Sequence, residues 1–181
     1  MMLMVCGCDS SVNFVDLNKN SKMDSYENPN LTPLQRARDI ISYLSLSEKI
    51  SQLESSAPSI PKLGISEYNW MNEALHGIRG DHGEITTVFP QAIGLAATWN
   101  PDLAWKQGNA ISDEARALAN NRGNDRYLDF WSPVINIARD PRWGRTQEGY
   151  GEDPMLVSEI SKSLIKGLQG NHHKYFKVLS A

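Results

Sequence analysis

The stretch that decides the fold is residues 127–170, YLDFWSPVINIARDPRWGRTQEGYGEDPMLVSEISKSLIKGLQG. It opens on a short apolar and aromatic run, passes through a polar loop, and ends in a helical pattern. Asp153 is placed to cap that helix and Pro154 suits its first turn. Leu156, Ile160, Leu164 and Leu168 recur at i, i+4 spacing, and Gly170 stops it. The residues that follow, YFKVLSA at 175–181, read as the next strand. A strand, a helix and a second strand in this order imply parallel pairing across a helical crossover.

The same grammar appears upstream. VFPQAIGLAATWN (88–100) leads into NPDLAWKQGNAISDEARALANN (100–121), with Asn100 as cap, Pro101 first, and Leu103, Ile111, Ala115 and Leu118 on one face. Before it, Thr32 and Pro33 open a helix carrying Leu34, Ala37, Ile41 and Leu44. Ser45 and Glu48 then have capping-box spacing for another, striped by Ile50 and Leu53. SAPSIPKLGI (56–65) is a loop broken by Pro58 and Pro61. Alternating strands and helices give an α/β class, a parallel sheet or barrel, in which chemistry gathers where strands end and loops begin.

Composition sets limits. The chain has 181 residues, a net charge of -3 and 40% hydrophobic residues, ordinary for one globular domain or a piece of a larger one. The slightly acidic balance argues against general nucleic-acid binding, which favours a basic face. No apolar run approaches the roughly 20 residues that span a bilayer. Cys6 and Cys8 stand side by side near the N-terminus, too close to clip a core, with no second pair to complete a thiolate zinc site. Residues 1–8, MMLMVCGC, read as the remnant of a bacterial lipoprotein signal, with Cys8 lipidated after the small Gly7. The protein would then be anchored by lipid in the cell envelope. Residues 9–30, rich in Ser, Asn, Asp and Lys, read as a flexible tether, and residues 31–181 as the folded part.

Two loops carry the candidate chemistry. YNWMNEALHGIRGDHGE (68–84) holds Asn72, Glu73, His76, Asp81, His82 and Glu84. Glu73 and His76 have the E-x-x-H spacing of carboxylate-bridged metal sites, but Gly77, Gly80 and Gly83 oppose the long helix such a site needs. A metal-dependent hydrolase built on His76 and His82 is therefore the weakest reading. In a structural reading, backbone groups satisfy His76 and Glu73 is solvated. In a carbohydrate reading, carboxylate and amide groups take adjacent hydroxyls and Trp70 offers its face to a sugar ring. The second loop crowds Arg139, Arg142 and Arg145 around Trp143 and Gly144. The arginines either pair with Glu148, Glu152 and Asp153 or hold a polar ligand with their rigid forks, Gly144 letting the backbone come close.

YNWMNEALHG, TVFPQAIGLAATWN, ISDEARA, FWSPVINIARDPRWGR and YGEDP resemble, in order and spacing, the N-terminal catalytic domain of glycoside hydrolase family 3, in its β-xylosidase-like branch. The resemblance runs from about residue 31 to the end. It implies the first part of a (β/α)8 barrel of the TIM type, here truncated, which in the family precedes an α/β sandwich domain. It implies retaining hydrolysis of β-glycosides without a cofactor or metal, on a β-linked oligosaccharide. Retention requires two carboxyl groups about 5–5.5 Å apart. In the family the nucleophile and the acid/base lie later, so no catalytic residue is expected among these 181. The resemblance assigns Glu73 and Arg145 to sugar binding and Glu148 to orienting Arg145. It leaves Arg142 and Arg139 as braces of the loop, with Trp70 and His76 in support. Met71 replaces the tryptophan usual in the branch. Glu73, where the β-glucosidase branch commonly has aspartate, shortens the pocket and favours xylose, with glucosides and arabinofuranosides as competitors. A non-catalytic, carbohydrate-binding remnant is the rival outside enzymology.

Overall fold

The computed structural model describes residues 13–80, 83–123 and 127–181. Cys6, Cys8, Asp81 and His82 lie outside the described residues. The chain divides into two compact units, one ending at Glu67 and the other beginning at Tyr68.

In the first unit, α1 (Pro33–Tyr43) and α2 (Leu46–Ser51) begin where local chemistry directs. Both carry a complete capping box: Gln35 N donates to Thr32 Oγ1 while Thr32 N donates to Gln35 Oε1 at 2.9 Å. Glu48 N donates to Ser45 Oγ while Ser45 N donates to Glu48 Oε2 at 2.8 Å. Each box satisfies two amides that would otherwise lack an intrahelical partner. A two-residue strand, β1 (Ser56–Ala57), and a 3-10 turn at Pro61–Leu63 follow. The small core is Tyr26, Leu44, Ile60 and Leu63, with Leu17, Ile40 and Ile65 against it.

Two expectations fail here. Residues 13–30 are not a tether. Tyr26 is 1% exposed, its hydroxyl donates to Leu63 O at 3.1 Å, its amide donates to Asp39 Oδ2 at 2.9 Å, and Arg36 Nε donates to its carbonyl at 2.6 Å. The polar composition does not solvate the segment, because its Asn and Asp side chains bond neighbouring backbone amides and fold it locally. Of the stripe expected on α1, only Leu44, at the C-terminal cap, reaches the core. Leu34 is 60% and Ile41 50% exposed, and α1 itself contains no buried residue.

The second unit begins with β2 (Tyr68–Asn69) and contains α3 (Ala92–Ala96), α4 (Pro101–Arg122), β3 (Asp129–Phe130), α5 (Pro154–Gln169) and β4 (Leu179–Ser180). Asn100 and Asp153 cap α4 and α5, accepting from Leu103 N at 3.0 Å and Leu156 N at 2.7 Å. The long helices cross closely because two glycines make room. A Cβ on Gly108 would stand 2.3 Å from Leu164 O, and one on Gly167 2.2 Å from Trp105 O. Ser112 Oγ bridges the same crossing to Gly167 O at 3.2 Å. Beneath it, Ile111, Ala115, Ile160, Leu164 and Leu168 join Tyr127, Phe130 and Tyr150 in one core. Each fully buried leucine or isoleucine contributes about 1.5–3 kcal/mol.

β3 and β4 pair in parallel, Asp129 against Leu179 and Phe130 against Ser180, with α5 as the crossover. This is the strand, helix and strand read from residues 127–181. Val88 and Phe89 do not form a strand. Phe89 N donates to His76 O at 2.7 Å, an isolated bond and no ladder. The short helix α3 follows within the same stretch, where no helix was expected.

Candidate functional site

Glu73 is held by the end of β3. Trp131 N donates to Asn72 O at 2.8 Å, Ala74 N donates to Ser132 Oγ at 3.2 Å, and Ser132 Oγ donates to Glu73 Oε2 at 3.2 Å. One residue pair just past the strand thus fixes the backbone on both sides of Glu73 and one of its carboxylate oxygens. Arg79 N returns to Glu73 O at 2.9 Å, folding 73–79 into a tight loop. Gly77 sits where that loop meets the chain at Thr87: its φ is 122°, and a Cβ there would lie 2.1 Å from Thr87 O. Only glycine accepts both conditions.

Arg145 enters from the loop after β3. Ala138 N donates to Gly151 O at 2.9 Å and Thr146 Oγ1 to Trp143 O at 2.8 Å, shaping a turn at Thr146–Glu148. Arg145 Nε donates to Glu148 Oε2 at 2.8 Å and Nη2 donates to the same oxygen. Glu148 therefore sets the direction of the guanidinium.

Glu73, His76, Arg79, Arg145 and Glu148 line one cleft of about 390 Å³, with Leu75, Ile78, Val88 and Val134 as its apolar wall. Burial raises the Glu73 carboxyl above its ordinary 4.5, and Glu148 pushes the same way. Ser132, Arg145 and Arg79 oppose them. Glu148, and more weakly Glu73, hold the Arg145 guanidinium more firmly protonated than usual. No ion pair closes between Arg145 and Glu73. A hydroxylated ligand between them would receive hydrogen bonds from the fork and donate to the carboxylate, the arrangement that sugar hydroxyls require.

Three candidate side chains lie elsewhere. Arg142 binds Asp140, Nη2 to Oδ2 at 2.7 Å and Nε to Oδ1 at 3.0 Å, and is 89% exposed. Trp70 packs edge to face on Trp131, centroids 4.9 Å apart, and does not line the cleft. Arg139 donates to Asn136 Oδ1. Gly144 has open space around it and ordinary backbone geometry, so no crowding from the protein calls for glycine there. Sequence reading missed Ser132, Arg79 and the apolar wall. For Ser132 a signal existed, a small hydroxyl residue at the C-terminal end of a barrel-type strand.

Residues 33–181 match the model of the glycosyl hydrolase family 3 N terminal domain. A xylan 1,4-beta-xylosidase from Xylanibacter ruminicola is 43% identical over 92% of this chain and 20% of its own length. A probable beta-D-xylosidase from Arabidopsis thaliana is 45% identical over 78% of this chain and 19% of its own. Among solved structures, a family 3 exo-beta-xylosidase in complex with a xylobiose aziridine probe superposes with a TM-score of 0.73, at 32% identity over 83% of this chain and 20% of that one. The chain spans about one fifth of the length of these relatives. With its β3–α5–β4 unit and its match from residue 33 to 181, the chain belongs to glycosyl hydrolase family 3, as the first part of the N-terminal (β/α)8 barrel domain.

Proposed function

We propose that the chain supplies part of the sugar-binding subsite of a retaining, exo-acting β-xylosidase that works on xylo-oligosaccharides. The observation that carries this reading is the unjoined pair, Glu73 and Arg145, facing one cleft with Glu148 orienting the arginine. Arg145 donates to hydroxyls of the non-reducing sugar and Glu73 accepts from them. These charge-assisted bonds strengthen as the ring flattens toward an oxocarbenium-like transition state, which is how binding becomes catalysis. In this reading Glu73 binds sugar, Glu148 orients Arg145, and neither acts as nucleophile or acid/base. The names of the relatives above support xylose. So does the longer Glu73 side chain, which leaves less room for a C6 hydroxymethyl group.

The test is Glu73→Asp in the complete enzyme, assayed on paired aryl xylosides and glucosides. The shorter acid should move the ratio of kcat/KM toward glucosides. An unchanged ratio would remove pocket length as the basis of sugar choice, and a dominant arabinofuranosidase activity would replace xylose with that sugar.

Lipidation of Cys8 and a bacterial envelope location belong to the same proposal. Detergent partitioning of the full protein tests them: Cys8→Ser should move it to the aqueous phase, and unchanged partitioning would rule out the anchor.

A further inference from the structure

Residues 16–27, DLNKNSKMDSYE, place oxygen-bearing side chains at the first, third, fifth, ninth and twelfth positions: Asp16, Asn18, Asn20, Asp24 and Glu27. This is the spacing of a calcium loop of the D-x-[DN]-x-[DN]-G-x5-E kind, in which a backbone carbonyl at the seventh position, here Lys22, completes the ligands. The one departure is Ser21 in place of the glycine at position six. Its φ is 61°, so the backbone makes the left-handed turn that glycine normally serves.

The folded loop draws these groups together. Asp16 accepts from Asn20 N at 3.1 Å through Oδ1 and from Ser21 N at 2.9 Å through Oδ2. Asn18 and Asn20 both donate through Nδ2 to Asp24 Oδ2, at 2.7 and 2.8 Å. Glu27 closes the loop on itself, accepting from Leu17 N at 2.7 Å and Asp24 N at 3.0 Å. Turning either asparagine amide about its last bond would put an oxygen where its nitrogen now points. No three His, Cys, Asp or Glu among the described residues form a metal group by themselves. The ligand set here depends on two amides and a carbonyl as well as on acids.

A separate observation points to a cation. Glu27 is 4% exposed, yet neither it, Asp16 nor Asp24 forms an ion pair with any Lys, Arg or His among the described residues. Buried carboxylates are normally paired with a cation or coordinate a metal. An all-oxygen set of carboxylates, amides and a carbonyl suits Ca²⁺, whereas Mg²⁺ prefers to keep several waters and zinc prefers His and Cys.

We propose that residues 16–27 bind one Ca²⁺ through Asp16, Asn18, Asn20, Asp24, Glu27 and the Lys22 carbonyl. The ion pins the segment whose Tyr26 packs in the first unit's core. With three carboxylates and two amides, affinity falls in the weak range of extracellular modules, Kd on the order of 10⁻⁴–10⁻³ M.

The experiment is a calcium titration of the EDTA-treated full chain by calorimetry, with thermal melts alongside. One site and a calcium-dependent rise in Tm are expected. Glu27→Gln should weaken binding by roughly tenfold or more, while Asn20→Asp, which still accepts from Lys22 N, should tighten it several-fold through its added charge. A misfolded loop cannot produce that gain. No heat and no Tm change up to about 10 mM Ca²⁺ would overturn the site. So would wild-type affinity in both variants, or an equal rise in Tm with Mg²⁺ alone.

Discussion

Residues 139–148 and residues 16–27 both crowd charged and amide side chains into a short loop, and they balance that charge in different ways. In the first, two arginines face acids from the same loop: Arg142 on Asp140 and Arg145 on Glu148. In the second, amides donate to Asp16, Asp24 and Glu27, and none of the three forms an ion pair with a cationic side chain among the described residues. In the first loop Arg142 and Arg145 each have an acid beside them, and the Arg145 fork can serve a neutral, hydroxyl-bearing ligand. The second has a negative interior suited to a cation. Loops of similar polarity therefore point to opposite ligand classes, and the partner of each carboxylate, more than the number of charges, separates them.

The sharpest way to break the comparison is Arg145→Ala in the complete enzyme. If the fork of the first loop binds sugar, kcat/KM should fall by on the order of 10- to 100-fold or more while the fold melts normally. Early melting with near-normal kcat/KM would make Arg145 a brace and would reduce the first loop to a salt-bridge knot. The calcium titration of the second loop leaves this result untouched, so each half of the comparison can fail alone.

How much of this was legible from sequence followed the range of each interaction. Helix starts were readable at Thr32, Ser45, Asn100 and Asp153, because each cap bonds an amide three residues on and local spacing contains the whole device. The β3–α5–β4 unit was readable from period and punctuation. Ser132 was readable only as a small hydroxyl residue at a strand end; its grip on Glu73 was not, because the two meet across 59 residues and neither local stretch encodes that meeting. Arg142 and Arg145 look alike in residue type; the family resemblance separates them in sequence, and in the structure they have separate partners, Asp140 and Glu148. The tether expectation failed differently over residues 13–30. The segment's composition suggested a solvated tether, but composition averages over positions, whereas the folding information lies in the spacing of Asp16, Asn18, Asn20, Asp24 and Glu27 and in one buried tyrosine.

A smaller effect tests the electrostatics of the cleft. Burial raises the Glu73 carboxyl above 4.5, so the folded protein holds that proton more tightly than the unfolded chain does. For a raised acid, stability falls as pH rises from the ordinary value through the folded one, and the penalty is constant above it. Glu73→Gln, which keeps an acceptor for Ser132, should therefore raise Tm at pH 7 by about 1–3 °C and lose that advantage near pH 4. A uniform shift at both pH values would mean that packing, and not the buried charge, separates the two proteins. Sugar hydrolysis by the complete enzyme should still suffer at pH 7, because an amide is a weaker acceptor than a carboxylate.

The smallest expected effect belongs to Arg142→Ala, and it tests whether an arginine two residues from a partner does more than decorate the first loop. Arg142 holds Asp140 through two side-chain bonds and its own amide. These bonds depress the Asp140 carboxyl below its ordinary 3.8, with the side-chain bond the larger cause. A depressed acid stabilises the fold above its unfolded value and loses that contribution as pH falls through the folded one. Both side chains face water, however, where solvent screens the pair and ordering the long arginine side chain offsets the attraction. Arg142→Ala should therefore lower Tm by no more than about 2 °C at pH 7. The two proteins should converge as pH falls through the folded value of Asp140. Raising the salt at pH 7 should narrow the gap as well. With the loop still closed by Ala138 on Gly151 and Thr146 on Trp143, kcat/KM should stay within about twofold of the parent. A tenfold loss of kcat/KM without loss of Tm would place Arg142 at the ligand, and the first loop would then grip sugar with two forks in place of one.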